Sequence, residues 1–131
     1  MMAECGELDR LLARARQDAR ILAVILFGSM ARGETTEGSD VDVCLVPWPG
    51  PRDRPSLTEL RVEYASEFDL DVQVFPLLPL VVRSRLLREG RVLFVRDDDA
   101  LYDVAGRTAR AFEAFKPTHR AYLSEVLRAG S

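Results

Sequence analysis

Two aspartates enter an apolar strand soon after a glycine-serine pair, and this combination of residues is suited to phosphate chemistry. Gly28 and Ser29 end an apolar run, and after ten intervening residues the segment DVDVCLV begins with Asp40 and Asp42. Unpaired charge buried in a strand is costly, so carboxylates here require a counter-charge. A glycine allows close backbone approach, and a serine hydroxyl with neighbouring N–H groups holds phosphate oxygens. The spacing therefore predicts a site that takes a phosphate together with a cation.

A second acidic segment, FDLDVQVF at residues 68–75, alternates polar and apolar residues as a strand does. Side chains two residues apart in a strand point to the same face. Asp69 and Asp71 therefore share one face of their strand, and Asp40 and Asp42 share one face of theirs. If the two strands are neighbours, up to four carboxylates gather on one patch and require a cation to remain ionised. Mg²⁺ prefers such oxygen ligands and commonly binds one or two carboxylates plus phosphates. We therefore predict two Mg²⁺ ions acting in phosphoryl or nucleotidyl transfer.

The elements that must position these residues alternate between helix and strand. Apolar periodicity, prolines, glycines and capping residues predict their bounds. The first half of the chain is predicted to form a helix over 7–20, strands over 21–27 and 40–46, a proline-rich excursion over 47–55, and a helix begun by Ser56 with Glu59 at capping-box spacing. The second half is predicted to form a strand over 68–75, a helix from Pro79 to Gly90 and a strand over 91–95. Two helices then follow, a long one from Asp97, Asp98 or Asp99 through Phe115 and a last one from Pro117 to Leu127. A chain of 131 residues has room for one core, so we predict a single domain over residues 1–131.

Composition restricts the classes of function. The formal net charge of −3 argues against stable nucleic-acid binding, because such domains usually carry a dominant basic surface. The N-terminus lacks the pattern of a signal peptide, and no apolar run reaches the roughly 18 residues of a membrane span. The two cysteines, Cys5 and Cys44, match no disulfide or metal spacing. We expect a cytoplasmic protein with reduced thiols and no membrane partner.

The run GSMARGETTEGSDVDV, at residues 28–43, resembles the signature of the nucleotidyltransferase superfamily that includes DNA polymerase beta, in its minimal (MNT) branch. The likeness continues through LDVQVF, LLREG and RVLFV to the terminal AFEAFKPTHRAYL, and so covers nearly the whole chain. The resemblance implies an α/β (α+β) fold, in which a mixed nucleotidyltransferase sheet is flanked by helices and followed by C-terminal helices. It also implies a nucleoside triphosphate substrate, ATP, bound with two Mg²⁺ ions.

The resemblance assigns roles to individual residues by position. It implies that Gly28 and Ser29 grip the triphosphate, and that Asp40 and Asp42 hold the metal ions. Arg32, three residues after Ser29, is near enough in sequence to reach the same anion.

A third metal-binding carboxylate is implied on the later strand. Asp71 fits the family pattern better, because its distance to the LLREG turn matches, but Asp69 on the same predicted face remains the alternative. This third aspartate is also our candidate general base.

Many minimal nucleotidyltransferases are antitoxins paired with HEPN ribonuclease toxins, and the C-terminal half resembles that group. The resemblance implies an adenylyltransferase antitoxin of the MntA type, which moves AMP from ATP to a tyrosine of the toxin. Two alternatives stay open: the same chemistry on a small-molecule or nucleic-acid hydroxyl, and a toxin-binding module without turnover. No motif encodes the preferred nucleotide, the acceptor or the oligomeric state, and we assign no site to the arginine cluster between Arg83 and Arg91.

Overall fold

The structure is a computed structural model that describes residues 2–28, 41–50 and 53–129, with side chains over 6–28, 41–50 and 53–115. The order of helices and strands along these residues is the predicted one as far as β4. The elements are α1 (Met2–Gln17), β1 (Ile21–Phe27), β2 (Asp42–Pro47), α2 (Arg54–Glu67), β3 (Asp71–Val74), a short 3₁₀ turn (Phe75–Leu77), α3 (Leu80–Glu89), β4 (Arg91–Val95) and α4 (Asp98–Ala129).

The four described strands form one mixed sheet in the order β3-β2-β1-β4. β1 pairs antiparallel with both β2 and β4, whereas β2 and β3 run parallel. Parallel neighbours need a crossover connection, and α2 supplies it between β2 and β3. The predicted α/β class with a mixed sheet is confirmed.

Helices cover both faces of the sheet, which explains why β1 is apolar at every position. Val24 and Leu26 pack in a core cluster with residues of α1 and α2, whereas Ala23 and Ile25 pack in a second cluster with residues of α3 and α4. A strand buried on both faces shows a continuous apolar run, as ILAVILF does. The chain therefore folds as three layers, with the sheet in the middle.

The helix starts and ends differ from the sequence prediction in three places. α1 spans Met2–Gln17 and so begins and ends earlier than the predicted helix over 7–20. α2 begins at Arg54 because the Asp53 carboxylate accepts a hydrogen bond from the backbone N–H of Ser56 at 3.1 Å. The predicted capping role of Ser56 was therefore wrong. The two predicted C-terminal helices are one helix, α4, which continues through Pro117. An interior proline removes one hydrogen bond but does not always end a helix, because the neighbouring bonds still hold.

None of the helices in the described part of the chain has the length and apolarity needed to cross a membrane.

Arg96 closes the C-terminal end of α1, whose last carbonyl groups have no partner within the helix. It follows β4 directly, and its guanidinium donates hydrogen bonds of 3.0 to 3.2 Å to four backbone oxygens. These acceptors belong to Ala15, Arg16, Asp18 and Ile21. One side chain thus joins α1, the turn after it and β1.

Asp18 connects the same turn to α2. Its carboxylate accepts hydrogen bonds from Arg20 Nε at 2.9 Å and Nη2 at 2.7 Å, and from the Tyr64 hydroxyl at 2.9 Å. The hydrogen bonds from the Arg20 side chain outweigh the effect of burial and lower the pKa of Asp18 from 3.8 to about 2. Burial, followed by the bond to Asp18, raises the pKa of Tyr64. The cluster lies at the start of β1, at the opposite end of the sheet from the end of β1 at Phe27.

Candidate functional site

The chain brings the last residue of β1 and the first residues of β2 and β3 to one end of the sheet. This follows from the strand directions: β1 is antiparallel to β2, and β3 is parallel to β2. Phe27 pairs with Asp42, and Gly28 follows Phe27 directly. Gly28 and the carboxylates of Asp42 and Asp71, which are distant in sequence, therefore lie at the same end of the sheet.

Asp42 and Asp71 are direct partners in the parallel ladder between β2 and β3. Paired residues of neighbouring strands lie about 4.8 Å apart and point to the same face. The Asp71 backbone N–H donates to the Val41 carbonyl at 3.0 Å, and Gln73 Nε2 donates to Asp71 Oδ1 at 3.1 Å. Asp42 is half-buried and Asp71 is exposed, so solvent and ligands reach the pair.

The face that carries the pair is the one covered by α3 and α4. Cys44, two residues after Asp42, is fully buried in the cluster formed with those helices. Burial raises the pKa of the Cys44 thiol, so it stays protonated. Cys44 is therefore a small buried residue of this core cluster.

The structure separates Asp69 from Asp71. β3 spans only Asp71–Val74, so Asp69 lies before the strand, and the predicted strand over 68–75 was too long. Phe68 belongs to the end of α2 instead, because its N–H donates to the Tyr64 carbonyl. The Asp69 N–H donates to Glu7 Oε2 at 3.2 Å. Only Asp71 is in ladder register with Asp42.

Gly28 makes a close approach that no other residue type allows. Its φ is +82°, in the region that favours glycine. A Cβ on Gly28 would lie within 3.0 Å of Asp42 Oδ2, a separation that real Cβ atoms essentially never show. The backbone of Gly28 therefore lies against the carboxylate of Asp42.

Three predicted site residues, Ser29, Arg32 and Asp40, lie outside the described residues. Within the residues that are described, no group of three or more His, Cys, Asp or Glu side chains is arranged to hold a metal ion. Asp42 and Asp71 supply two oxygen ligands on adjacent strands, which matches the one or two carboxylates that Mg²⁺ commonly takes. The donor set present fits that ion.

A cleft of about 300 Å³ opens beside Gly28 and was not predicted from the sequence. Phe27, Val82 and Leu86 form its apolar wall, and Arg85 and Glu89 lie at its rim. These two form an i,i+4 ion pair at 3.4 Å. The i,i+4 spacing is visible in the sequence, but only the packing of α3 over β1 places it near Gly28.

The mixed sheet, with paired aspartates beside a glycine turn, is the arrangement expected from the resemblance to nucleotidyltransferases. Residues 10–99 match the family described as Polymerase beta, Nucleotidyltransferase, and the chain belongs to this family. The resemblance inferred from the GS and DVD motifs is confirmed.

Curated and solved relatives agree with this assignment. A Methanocaldococcus jannaschii protein, named as a candidate protein adenylyltransferase, is 29% identical over 76 residues, covering 58% of this chain. The aligned part spans 57% of that relative's length.

Solved structures share the fold at low sequence identity. A toxin-antitoxin structure with AMP-PNP has a TM-score of 0.69 at 21% identity, covering 93% of this chain and 97% of the matched chain. A complex of tri-AMPylated Shewanella oneidensis HEPN toxin with MNT antitoxin has a TM-score of 0.62 at 21% identity, with 96% and 97% covered. A Sulfolobus solfataricus structure, named as a candidate nucleotidyltransferase, has a TM-score of 0.51 at 21% identity, with 71% and 81% covered. In these three structures the likeness covers between 71% and 96% of this chain.

Proposed function

We propose that this chain is a Mg²⁺-dependent adenylyltransferase that transfers AMP from ATP to a tyrosine of a HEPN-type toxin and so neutralises it. The observation that carries the proposal is the ladder pairing of Asp42 with Asp71 beside the positive-φ turn at Gly28, in a chain of the nucleotidyltransferase family. The name of the archaeal relative supports protein adenylylation, and the solved complexes with AMP-PNP and with AMPylated HEPN toxin support ATP and toxin as substrates. The setting we propose is the cytoplasm.

In the proposed reaction, the tyrosine oxygen attacks the α-phosphorus of ATP in line with the bond to the β-phosphate. That bond breaks, pyrophosphate leaves with the electron pair, and the hydroxyl proton moves to a carboxylate. When bound, Mg²⁺ supplies charge neutralisation on the phosphates and lowers the pKa of the attacking oxygen.

Each predicted site residue has a defined part in this proposal. Asp42 and Asp71 hold the metal ions, together with Asp40. Asp71, which is the more exposed of the ladder pair, accepts the tyrosine proton. Gly28 lets the backbone lie against the Asp42 carboxylate and approach the triphosphate closely, while Ser29 and Arg32 bind phosphate oxygens. Most of the rate then comes from positioning and electrostatics.

The cleft beside Gly28 is the proposed place for the part of the nucleotide that continues from the phosphates. Phe27 and Leu86 offer apolar contact to a flat ring, and the rim ion pair of Arg85 and Glu89 offers both a donor and an acceptor. This arrangement suits a nucleobase with hydrogen-bonding groups on its edge.

The decisive experiment combines the chain with ATP labelled on the α-phosphate, Mg²⁺ and the toxin encoded beside its gene. We expect label on a toxin tyrosine and loss of ribonuclease activity, both abolished by EDTA and by Asp42→Asn. Label on a small molecule or nucleic acid instead of the toxin would show that the proposed acceptor is wrong. Toxin inhibition that persists unchanged in Asp42→Ala would show that contact alone, without transfer, neutralises the toxin.

A further inference from the structure

We propose that this chain has a second ligand site, which binds a small aromatic carboxylate in a pocket at the end of β2 remote from Asp42. The pocket has a volume of about 200 Å³ and lies between the end of β2, the 3₁₀ turn, α3 and α4. It contains none of the residues assigned to nucleotidyl transfer. The inference therefore goes beyond the proposed function and does not depend on it.

The apolar part of the pocket is sized for one ring. Val46 and Phe75 form a buried floor, with exposed fractions of 1% and 4%. Trp48 and Val104 form walls that remain partly accessible. An apolar cavity of about 150 Å³ is enough to hold benzene, so this pocket accommodates a single ring with a short chain.

The charged part of the pocket consists of two arginines. Among the described residues that line it, Arg83 and Arg107 are the charged ones, and none is acidic. Arg107 pairs with Asp103 at 2.8 Å on the exposed surface of α4. The second arginine is placed differently.

Arg83 is held in position by a backbone carbonyl and an aromatic ring. Its Nε donates to the Leu78 carbonyl at 3.1 Å, and its guanidinium carbon lies 5.9 Å from the centroid of the Phe75 ring. In the part of the chain that the structure describes, no carboxylate forms an ion pair with Arg83. The backbone bond uses Nε and leaves both Nη groups to donate. A guanidinium fixed over an aromatic floor suits a planar carboxylate, which it binds through paired hydrogen bonds.

The site is physically separate from the proposed active centre. Val46 lies four residues after Asp42 on β2, which corresponds to about 13 Å along an extended strand. A ligand of one ring and one carboxylate does not span that distance.

Two sources share this chemistry: a free aromatic acid, and a polypeptide C-terminus ending in an aromatic residue.

Trp48 is the single tryptophan of the chain and lines the pocket, so intrinsic fluorescence reports on this site directly. The test titrates the full chain with 3-phenylpropionate and with N-acetylglycyl-phenylalanine, which represent the two sources. The matched probes are 3-phenylpropanamide, which lacks the charge, and propionate, which lacks the ring. We expect saturable binding of at least one aromatic acid, and binding at least roughly 10-fold weaker for the amide and for propionate.

Variants on α3 separate the arginine's role from a general effect on folding. Arg83→Gln is expected to weaken acid binding by roughly 10-fold, Arg83→Lys to recover part of it, and Arg88→Gln, an exposed change on the same helix, to leave it unchanged. Thermal unfolding of each variant checks that the fold is kept. Saturable binding with neither acid, equal affinity for acid and amide, or full affinity in a folded Arg83→Gln variant would each overturn the proposal.

Discussion

The backbone of Gly28 lies directly against the carboxylate of Asp42, although 13 residues separate them in the chain. Antiparallel pairing of β1 with β2 brings Phe27 opposite Asp42, and the positive φ at Gly28 then turns the chain over the carboxylate. The space that a Cβ would fill is occupied by Asp42 Oδ2. The glycine of the GS motif and the second aspartate of the DVD motif thus depend on each other sterically.

Gly28→Ala is expected to reduce AMP transfer by about 100-fold, because the added Cβ displaces the Asp42 carboxylate and displacements near 1 Å cost about that much. The positive φ adds about 1–2 kcal/mol of destabilisation. Initial rates of label transfer and urea unfolding measure the two effects. Gly6→Ala, in α1 with open space around its Cβ position, is the control and should leave transfer unchanged. Normal transfer by Gly28→Ala would show that the contact with Asp42 is unimportant.

The ladder register distinguishes the two candidates for the third carboxylate. Asp71→Asn is expected to lower transfer at least about 100-fold, as are Asp42→Asn and Asp40→Asn, because each removes a charge from the proposed metal site. Asp69→Asn is the matched control, since Asp69 precedes β3 and has no ladder partner in β2. We expect it to retain transfer within about threefold, a change of less than 1 kcal/mol. The reverse ranking of Asp69 and Asp71 would contradict the assignment.

The sequence predicts elements well where local pattern and tertiary packing agree. The apolar run before Gly28 is β1 at the predicted bounds, because burial on both faces requires that pattern. Gly90 ends α3 as predicted, since a Cβ there would meet the Leu86 carbonyl at 2.5 Å and Ile25 Cγ2 at 2.6 Å. In both cases the residue type is dictated by its immediate neighbours.

The prediction fails where one residue serves two elements. Phe68 continues the alternating pattern of β3, yet its N–H closes α2 and its side chain is 3% exposed in the core. The pairing of Asp42 with Asp71 was expected only if their strands were neighbours. Strand order and register depend on how α2 packs against the sheet, which no local pattern encodes. The cleft beside Gly28 could not be predicted from the sequence for the same reason, because it depends on the placement of α3 over β1.

Arg96→Met should destabilise the fold by about 2–4 kcal/mol, because four backbone carbonyls in α1, the turn after it and β1 lose the hydrogen bonds from the guanidinium. Methionine keeps much of the apolar stem, so the change isolates the guanidinium. Chemical denaturation at pH 7 gives the free energy of unfolding. Arg107→Met, which removes an exposed i,i+4 partner of Asp103, should cost less than about 1 kcal/mol. Similar losses in the two variants would argue that Arg96 does not close α1.

Stability should fall in acid because of Asp18. Its pKa is lowered from 3.8 to about 2 in the fold, chiefly by the Arg20 side chain, so its stabilisation is complete above pH 3.8. The ionised Asp18 contributes about 2 kcal/mol to the free energy of unfolding. This contribution is lost as pH falls through about 2, because the carboxylate is then protonated in the folded protein as well. Asp18→Asn should remove this contribution and flatten the curve between these two pH values. Unfolding free energies from pH 7 to pH 2 measure it, with Asp103→Asn, an exposed change, as the control.

Mg²⁺ binding can be tested without any toxin, through its effect on thermal unfolding. Two carboxylates paired across β2 and β3 repel each other, and a bound cation relieves that repulsion only in the folded chain. At a Mg²⁺ concentration ten times the dissociation constant, the stabilisation is about 1.4 kcal/mol. We expect this gain in the parent chain and in Asp69→Asn, but little of it in Asp71→Asn, with NaCl of equal ionic strength as the baseline. An equal gain in Asp71→Asn would place the ion elsewhere, and it would remove the physical reason for treating the ladder pair as the metal site.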